Sequence, residues 1–154
     1  MRALEDHPEV LTTKLVSGKV TYVHQRLWPA VLAVATARQS WQVEGLSGAA
    51  KQLLDWVDRQ GEVQLDSVPL PASVTRKDLN DAARHLERRL LALGSEVHTP
   101  SGAHAKVLQA WERWASGAGF REPLPGADEA RLRLEESLLD LSSSGGSARL
   151  PWQT

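Results

Sequence analysis

Alternating apolar positions near the start of the chain predict a β-hairpin. Two strand-like runs, Val10–Val16 and Lys19–His24, flank the dipeptide Ser17-Gly18. A two-residue loop with glycine in second place favours a primed turn, which requires a positive φ. The predicted pairs are Leu15 with Val20, Thr13 with Tyr22, and Leu11 with His24. One face of this hairpin is then mainly apolar, as half-buried strands require.

Helical periodicity follows the hairpin. Pro29 suits a first helical position, and the apolar stretch that it opens continues to Ala37. This stretch is apolar nearly all round, so we expect it to be deeply packed. Residues 38–45 are predicted to be a connector that carries Trp41.

Clear signals for the start and end of a helix follow. Ser47 can cap a helix over residues 48–60, and Gly61 ends it. A short strand is predicted at residues 62–65, and a turn with two prolines follows it. Thr75 or Ser73 caps the next helix, which runs through Arg89. Two more elements are predicted before the C-terminal region. They are a strand over residues 91–99 and a helix over about residues 104–115.

The order helix, short strand, turn, helix, strand and loop is that of a winged helix-turn-helix. In this fold the second long helix usually enters the DNA major groove and the β-wing contacts the backbone. A helical bundle with two incidental β pairs is the competing interpretation. The predicted fold class is α+β and mostly helical, with a winged helix-turn-helix core, an N-terminal β-hairpin and extra C-terminal helices.

The domain boundaries follow from this order. Residues 1–45 form a hairpin and helix that pack on the core, and residues 46–116 form the winged-helix domain. Residues 117–141 contain a C-terminal helix, and residues 142–154 are predicted to be a flexible tail. The last helix, over about residues 128–141, is rich in leucine. It must pack on its own core or on a second chain, so a homodimer through this helix is predicted as a possible assembly.

Composition narrows the function classes. The 154 residues include no cysteine, which excludes disulfides, thiolate metal sites and cysteine nucleophiles. The net charge of −1 means that nucleic-acid binding requires a local basic patch. No apolar run is long enough to span a bilayer, and the N-terminus lacks the apolar core of a signal peptide. We therefore expect no membrane partner, no cofactor and a cytoplasmic location.

The exposed face of the predicted helix over residues 75–89 carries the candidate DNA contacts. They are Arg76, Lys77, Asn80, Arg84 and Arg88, with His98 and Ser101 of the wing in support. Cations bind phosphates, and forked side chains such as arginine and asparagine read base edges. Asp78, Asp81 and Glu87 lie on the same helix and would repel phosphate. A solvated face with internal ion pairs is therefore the alternative.

Other candidate chemistry is weaker. His98 and His104 flank the wing near Glu96 and could meet at a metal, but two imidazoles without a definite third ligand favour polar wing residues instead. Trp41 and Trp152 lie in predicted loops and are candidates for contact with a partner. No phosphate-binding loop, dinucleotide fingerprint or nucleophile elbow occurs.

Several runs resemble bacterial winged-helix proteins related to the AlkZ-like DNA glycosylases. They are Leu86-Glu87-Arg88-Arg89-Leu90-Leu91, Glu96-Val97-His98-Thr99-Pro100-Ser101-Gly102-Ala103-His104-Ala105-Lys106, Trp111-Glu112-Arg113-Trp114, Gly18-Lys19-Val20-Thr21-Tyr22-Val23 and Arg26-Leu27-Trp28-Pro29. The resemblance covers roughly residues 7–116. It implies a DNA-binding winged helix, since those enzymes build a DNA channel from tandem winged helices and excise alkylated or cross-linked bases.

The family's catalytic signature is Gln-x-Gln or Gln-x-Asp, which Gln64-Leu65-Asp66 fits. A carboxylate there could activate water and oppose the charge of the sugar cation. The pattern is short, however, and aspartate is common where a strand ends in a turn. This chain is also too short for several winged helices. The sequence therefore favours a non-enzymatic winged-helix DNA-binding protein linked to repair or transcription. A base-excision enzyme and a protein-interaction module are the alternatives.

Overall fold

The computed structural model describes residues 10–16, 19–102, 104–141 and 149–153, which form a mixed α+β fold. The strands are β1 (Val10–Val16), β2 (Lys19–His24), β3 (Glu62–Gln64), β4 (Leu93–His98) and β5 (His104–Gln109). The helices are α1 (Trp28–Ala37), α2 (Ser40–Val43), α3 (Gly48–Gln60), α4 (Arg76–Arg88), α5 (Trp111–Gly117) and α6 (Ala127–Leu141). Short 3-10 turns lie at Gln25–Leu27 and Leu65–Ser67. No helix in these ranges is long and apolar enough to cross a membrane.

Strands β1 and β2 form the predicted antiparallel pair, but the predicted register is wrong by one residue. Val16 pairs with Lys19, after which the register shifts between Lys14 and Val16. A bulge of this kind adds one residue to one strand and moves every later pair. Leu11 therefore lies opposite Val23, with both side chains buried, rather than opposite His24. The turn at residues 17–18 lies outside the described residues.

Helices α1, α5 and α6 and the β1–β2 hairpin enclose the first of two apolar cores. Helix α1 begins at Trp28 with proline in its first turn, and seven of its ten residues are buried. The indole of Trp28 donates to the Val23 carbonyl oxygen at 3.1 Å, which ties α1 to β2. Trp111 is 2% exposed in the same core, and Ala130 and Leu134 of α6 complete it.

Helices α3 and α4 begin and end close to where the sequence predicts. The Ser47 hydroxyl accepts from the Ala50 amide, and α3 ends at Gly61, whose φ is 80°. Thr75 caps α4, and its capping box with Asp78 satisfies two amides of the first turn. The second core joins these helices, and it buries Leu53, Leu54, Val57, Leu79, Ala83 and Leu86 together, as predicted.

The chain after α4 forms a β-hairpin and completes a three-stranded antiparallel sheet in the order β3-β5-β4. The helix predicted over about residues 104–115 is wrong, because its first part is strand β5 and a helix begins only at Trp111. Strand β5 is central in the sheet and pairs on both sides, with Glu62–Gln64 and with Leu93–His98. Backbone pairing with two neighbours outweighs the local helical spacing of its apolar residues.

The predicted connector over residues 38–45 contains the short helix α2. Gln42 is fully buried there, and its side-chain amide donates to the carbonyl oxygens of Ala35 and Arg89 at 3.2 and 3.1 Å. Its Oε1 accepts from the Gln39 amide at 2.8 Å. The Arg89 guanidinium in turn donates to the carbonyl oxygens of Gln42 and Glu44. This network fastens the end of α4 to the segment between the two cores.

The prediction of a flexible tail over residues 142–154 does not hold for its last part. Leu150 is 2% exposed and belongs to the first core. The Trp152 indole donates to Glu135 of α6 at 2.7 Å, and the Arg131 guanidinium lies over its ring. Residues 142–148 lie outside the described residues.

Candidate functional site

The five predicted DNA contacts of α4 are exposed. Four of the residues, Arg76, Asn80, Arg84 and Arg88, follow one another at intervals of four. Residues four apart on a helix are neighbours on its surface, so these side chains form one continuous row. We call Arg76, Asn80, Arg84 and Arg88 the basic row.

The buried carboxylate of Glu87 shows which side of α4 carries the basic row. Its Oε2 accepts from Lys106 Nζ of β5 at 2.7 Å, so this flank of α4 faces the β4–β5 hairpin. Asn80 lies seven residues before Glu87 and Arg84 lies three before it, and both spacings place residues on one helix face. The expectation that Glu87 repels phosphate from this helix does not hold, because its carboxylate is buried and paired with Lys106.

The hairpin presents two histidines on the side that faces α4. Successive strand residues point to opposite faces of a sheet, so His104 shares the face of Lys106. His98 is the direct partner of His104 across the strands, and their ring centroids are 4.3 Å apart. Both imidazoles are exposed. Both rings therefore share the sheet face of Lys106, whose ammonium binds Glu87 of α4.

The tip of the hairpin is a polar turn. The Thr99 carbonyl oxygen accepts from the Gly102 amide at 2.9 Å, and Gly102 has a φ of 85°. The hydroxyls of Thr99 and Ser101 are hydrogen-bonded at 2.9 Å. Ser101 is exposed at this tip.

Ion pairs on α4 bear out part of the alternative of a solvated face. Asp81 binds Lys77 at 3.0 Å and Arg84 at 3.3 Å. The hydrogen bond from Lys77 lowers the pKa of the Asp81 carboxyl below its usual value. Arg76 donates to the Leu65 carbonyl oxygen at 2.8 Å, which holds its guanidinium against the turn that precedes α4. The basic row is therefore partly neutralised through Arg84.

A groove of about 570 Å³ separates the other flank of α4 from the start of α3. Asp78, Asp81 and His85 line it on the α4 side, and Ser47, Gly48 and Gln52 line it on the α3 side. Asp78 and Asp81 thus border this groove, which makes it unfavourable for a polyanion.

Acid should weaken the capped start of α4. The hydrogen bond from the Thr75 amide, aided by that from its hydroxyl, lowers the pKa of the Asp78 carboxyl below its usual value. A carboxyl with a lowered pKa stabilises the fold above its unfolded pKa, and loses this effect as pH falls through the folded pKa. We therefore expect Asp78→Asn to be destabilising at neutral pH, with a difference from wild type that shrinks below about pH 4.

Urea unfolding of both proteins across this pH range measures that difference. Thr75→Ala is the companion variant, because it removes the hydroxyl that accepts from the Asp78 amide and keeps the backbone amide that donates to Asp78 Oδ2. A difference between wild type and Asp78→Asn that stays constant from neutral pH into acid would contradict the role of the ionised carboxylate.

The candidate catalytic pair lies at the start of the turn after β3. Gln64 Nε2 donates to Asp66 Oδ1 at 2.6 Å, and Ser67 approaches the same oxygen at 3.4 Å. Asp66 is exposed and is the second residue of the 3-10 turn Leu65–Ser67. A groove of about 170 Å³ nearby is lined by Trp56, Gln64 and Ser67. The contacts of Asp66 with Gln64 and Ser67 are therefore local contacts within a strand end and its turn.

A metal centre at the hairpin is not supported. Glu96 Oε2 lies 3.6 Å from His104 Nδ1, so the carboxylate pairs with one imidazole. Among the residues that the structure describes, no group of three or more histidine, aspartate or glutamate side chains could hold a metal ion.

The two tryptophans predicted to contact a partner, Trp41 and Trp152, contact each other. The rings of Trp41 and Trp152 have centroids 5.6 Å apart, and both are half-buried against the first core. The Trp41 indole donates to Gln39 at 2.9 Å. Sequence reasoning also missed Lys106, and a strand assignment for residues 104–109 would have placed it beside His104 on one face.

Comparisons with known protein families, curated proteins and solved structures find no match for this chain.

Proposed function

We propose that this chain is a non-enzymatic winged-helix protein that binds duplex DNA, in a process of repair or transcription. The observation that carries the proposal is the exposed basic row of α4, in which Asn80 and Arg84 lie on the flank of Glu87 beside the β4–β5 hairpin. Helix and hairpin together offer arginines for phosphates and base edges, and asparagine for adenine.

The order of elements supports a winged-helix core. Helix α3, strand β3, the 3-10 turn, α4 and the β4–β5 hairpin follow one another, and β5 lies between β3 and β4. In this interpretation α4 is the recognition helix and the β4–β5 hairpin is the wing. The resemblance to proteins related to the AlkZ-like glycosylases agrees with such a core and such a ligand.

Charge segregation supports a defined direction of approach. The acidic groove lies toward α3, whereas the row and the two histidines lie toward the wing. DNA that lies between α4 and the wing avoids Asp78. Two to four phosphate contacts by one chain imply a non-specific Kd on the order of 10⁻⁴–10⁻⁶ M at physiological salt.

The test removes the two arginines of the basic row that lie nearest the C-terminal end of α4. The double variant Arg84→Ala with Arg88→Ala should bind DNA more weakly. The slope of log affinity against log salt concentration should also become shallower by about 2 units, because each phosphate contact accounts for about one released counterion. Fluorescence anisotropy with labelled duplex DNA at several salt concentrations measures both quantities. Arg76 and Lys77 are the second pair to remove, although Arg76 also binds the Leu65 carbonyl oxygen.

The matched control is Lys51→Ala with Arg59→Ala, which removes two exposed cations from α3. It should leave the salt slope unchanged, and both double variants should melt close to wild type because exposed positions rarely exceed about 0.5 kcal/mol. Equal effects of the two double variants, or no wild-type binding at low salt, would contradict DNA binding through α4. The second result would favour the protein-interaction module.

We expect no release of damaged bases from alkylated DNA. Asp66 is exposed at the head of a turn, and its contacts with Gln64 and Ser67 are local. Quantifying free base after incubation with alkylated duplex DNA tests this. Base release that disappears in Asp66→Asn, with binding retained, would instead establish the base-excision alternative.

The homodimer through α6 stays a prediction. Ala130 and Leu134 of this helix face the first core, whereas Leu132 is 59% exposed. We propose that any contact between two chains through α6 is centred on Leu132.

A further inference from the structure

We propose that Glu87 and Lys106 are positioning residues that fix the wing relative to α4, so that the basic row and the wing histidines reach one DNA duplex together. This inference rests on the proposed function. It concerns how the two parts of that surface are held, since neither residue belongs to the predicted DNA contacts.

Three elements meet at the Glu87 carboxylate. Glu87 lies in the last turn of α4, and its Oε2 binds Lys106 Nζ of β5 at 2.7 Å. A Cβ atom at Gly94 of β4 would overlap Glu87 Oε1, so this strand supplies the space in which the carboxylate lies. The side chains of Glu87 and Lys106 are 6% and 25% exposed, whereas the Asp81 side chain in the surface pairs of α4 is 42% exposed.

The outer half of the wing depends on this base for its direction. Every β4 residue from Ser95 to His98 is exposed, so packing constrains this part little. At the base of the wing, the Glu87 carboxylate of α4 lies against Gly94 of β4 and binds Lys106 of β5. A charge-assisted hydrogen bond is directional, so the bond at this base favours one angle between the hairpin and α4.

Burial of a charge pair is weak evidence for added stability, because desolvation offsets the attraction. Specifying one geometry is the better-attested use of such a pair. A surface that contacts DNA at two places binds more tightly when both places are already held in the binding geometry. The reason is that less conformational entropy is then lost on binding.

The experiment measures the distance between a label on α4 and a label on the wing, which reports how firmly the two are held relative to each other. The chain has no cysteine, so His85→Cys on α4 and Val97→Cys on the wing can be spin-labelled selectively, and both positions are exposed. With Glu87 and Lys106 intact, we expect one narrow distribution of distances between the labels. Glu87→Gln and Lys106→Met should each broaden it. In unlabelled protein each should weaken DNA binding about fivefold or more, within the usual range of coupling between two sites.

Val34→Ala is the control for simple loss of stability, because Val34 is fully buried in the first core. It should lower the melting temperature without changing the distance distribution or the affinity of the folded protein. If a single variant fails to fold, Glu87→Met with Lys106→Met replaces the pair by apolar side chains, and we expect a broad distribution in that folded protein.

The outcomes separate the two proposals. A narrow, unmoved distribution in folded variants would overturn the positioning role, whatever the affinity. Broadening without wild-type DNA binding would retain the positioning role and remove the proposed function. Broadening together with weakened binding, and neither change in Val34→Ala, is the result expected here.

Discussion

Gly94→Ala is expected to lower the free energy of unfolding by roughly 3 kcal/mol. This value is the upper end of the usual cost of overpacking and the lower end of the usual cost of breaking a buried ion pair. The added methyl group would occupy the position of Glu87 Oε1. The carboxylate would have to move away, which separates it from Lys106 and leaves charge without its partner in a buried place. Urea unfolding followed by circular dichroism measures the loss.

The cause can be checked by removing the side chain that is displaced. In a Glu87→Ala background Gly94→Ala meets no carboxylate, so it should cost much less than in the wild type. Gly117→Ala is the matched control, because no atom lies within 4 Å of the added methyl group. If Gly94→Ala is as harmless as Gly117→Ala, or equally costly with and without Glu87, the tight approach of strand and carboxylate is wrong.

The helices of the second core were predictable because their ends carry local chemistry. Ser47 and Thr75 satisfy first-turn amides, and Gly61 takes the positive φ that ends α3. Each of these signals acts over three or four residues and needs no tertiary contact. The helix bounds in this region therefore follow closely from the sequence.

Strand β5 was not predictable by the same reasoning. Val107, Leu108 and Trp111 recur at spacings that fit a helix face, and this is what the sequence pattern detects. Their roles differ in the fold, since Val107 and Leu108 pair with β3 and β4 whereas Trp111 starts α5 in the first core. Distant strands decide the conformation of residues 104–109, and a short window does not contain them.

The candidate site also has one part that the sequence predicts and one part that depends on the fold. The spacing of Arg76, Asn80 and Arg84 already predicts one helix face, because the pattern is local. The side of α4 that the wing touches is fixed by Glu87 and Lys106, which are 19 residues apart in sequence. Nothing in the pattern of charges distinguishes the buried Glu87 from an exposed acid on the same helix, so its position required the fold.

Leu86→Ala should be the most damaging truncation on α4. Leu86 is completely buried in the second core beside Leu53, Leu79 and Leu108. Removing three carbon atoms loses their transfer free energy and leaves a cavity that neighbouring elements fill only in part, which costs about 2–5 kcal/mol. Chemical unfolding gives this value. If the proposed DNA binding through α4 holds, affinity at temperatures near the lowered midpoint should fall with the folded fraction.

The control for Leu86→Ala uses the same substitution where no core exists. Leu132 is 59% exposed on α6, so Leu132→Ala should change the free energy of unfolding by less than about 0.5 kcal/mol. A similar small change for both variants would show that α4 does not pack on α3 through Leu86. That result would remove the support that the basic row needs, because a row of arginines reads DNA only from a helix held in place by its buried face.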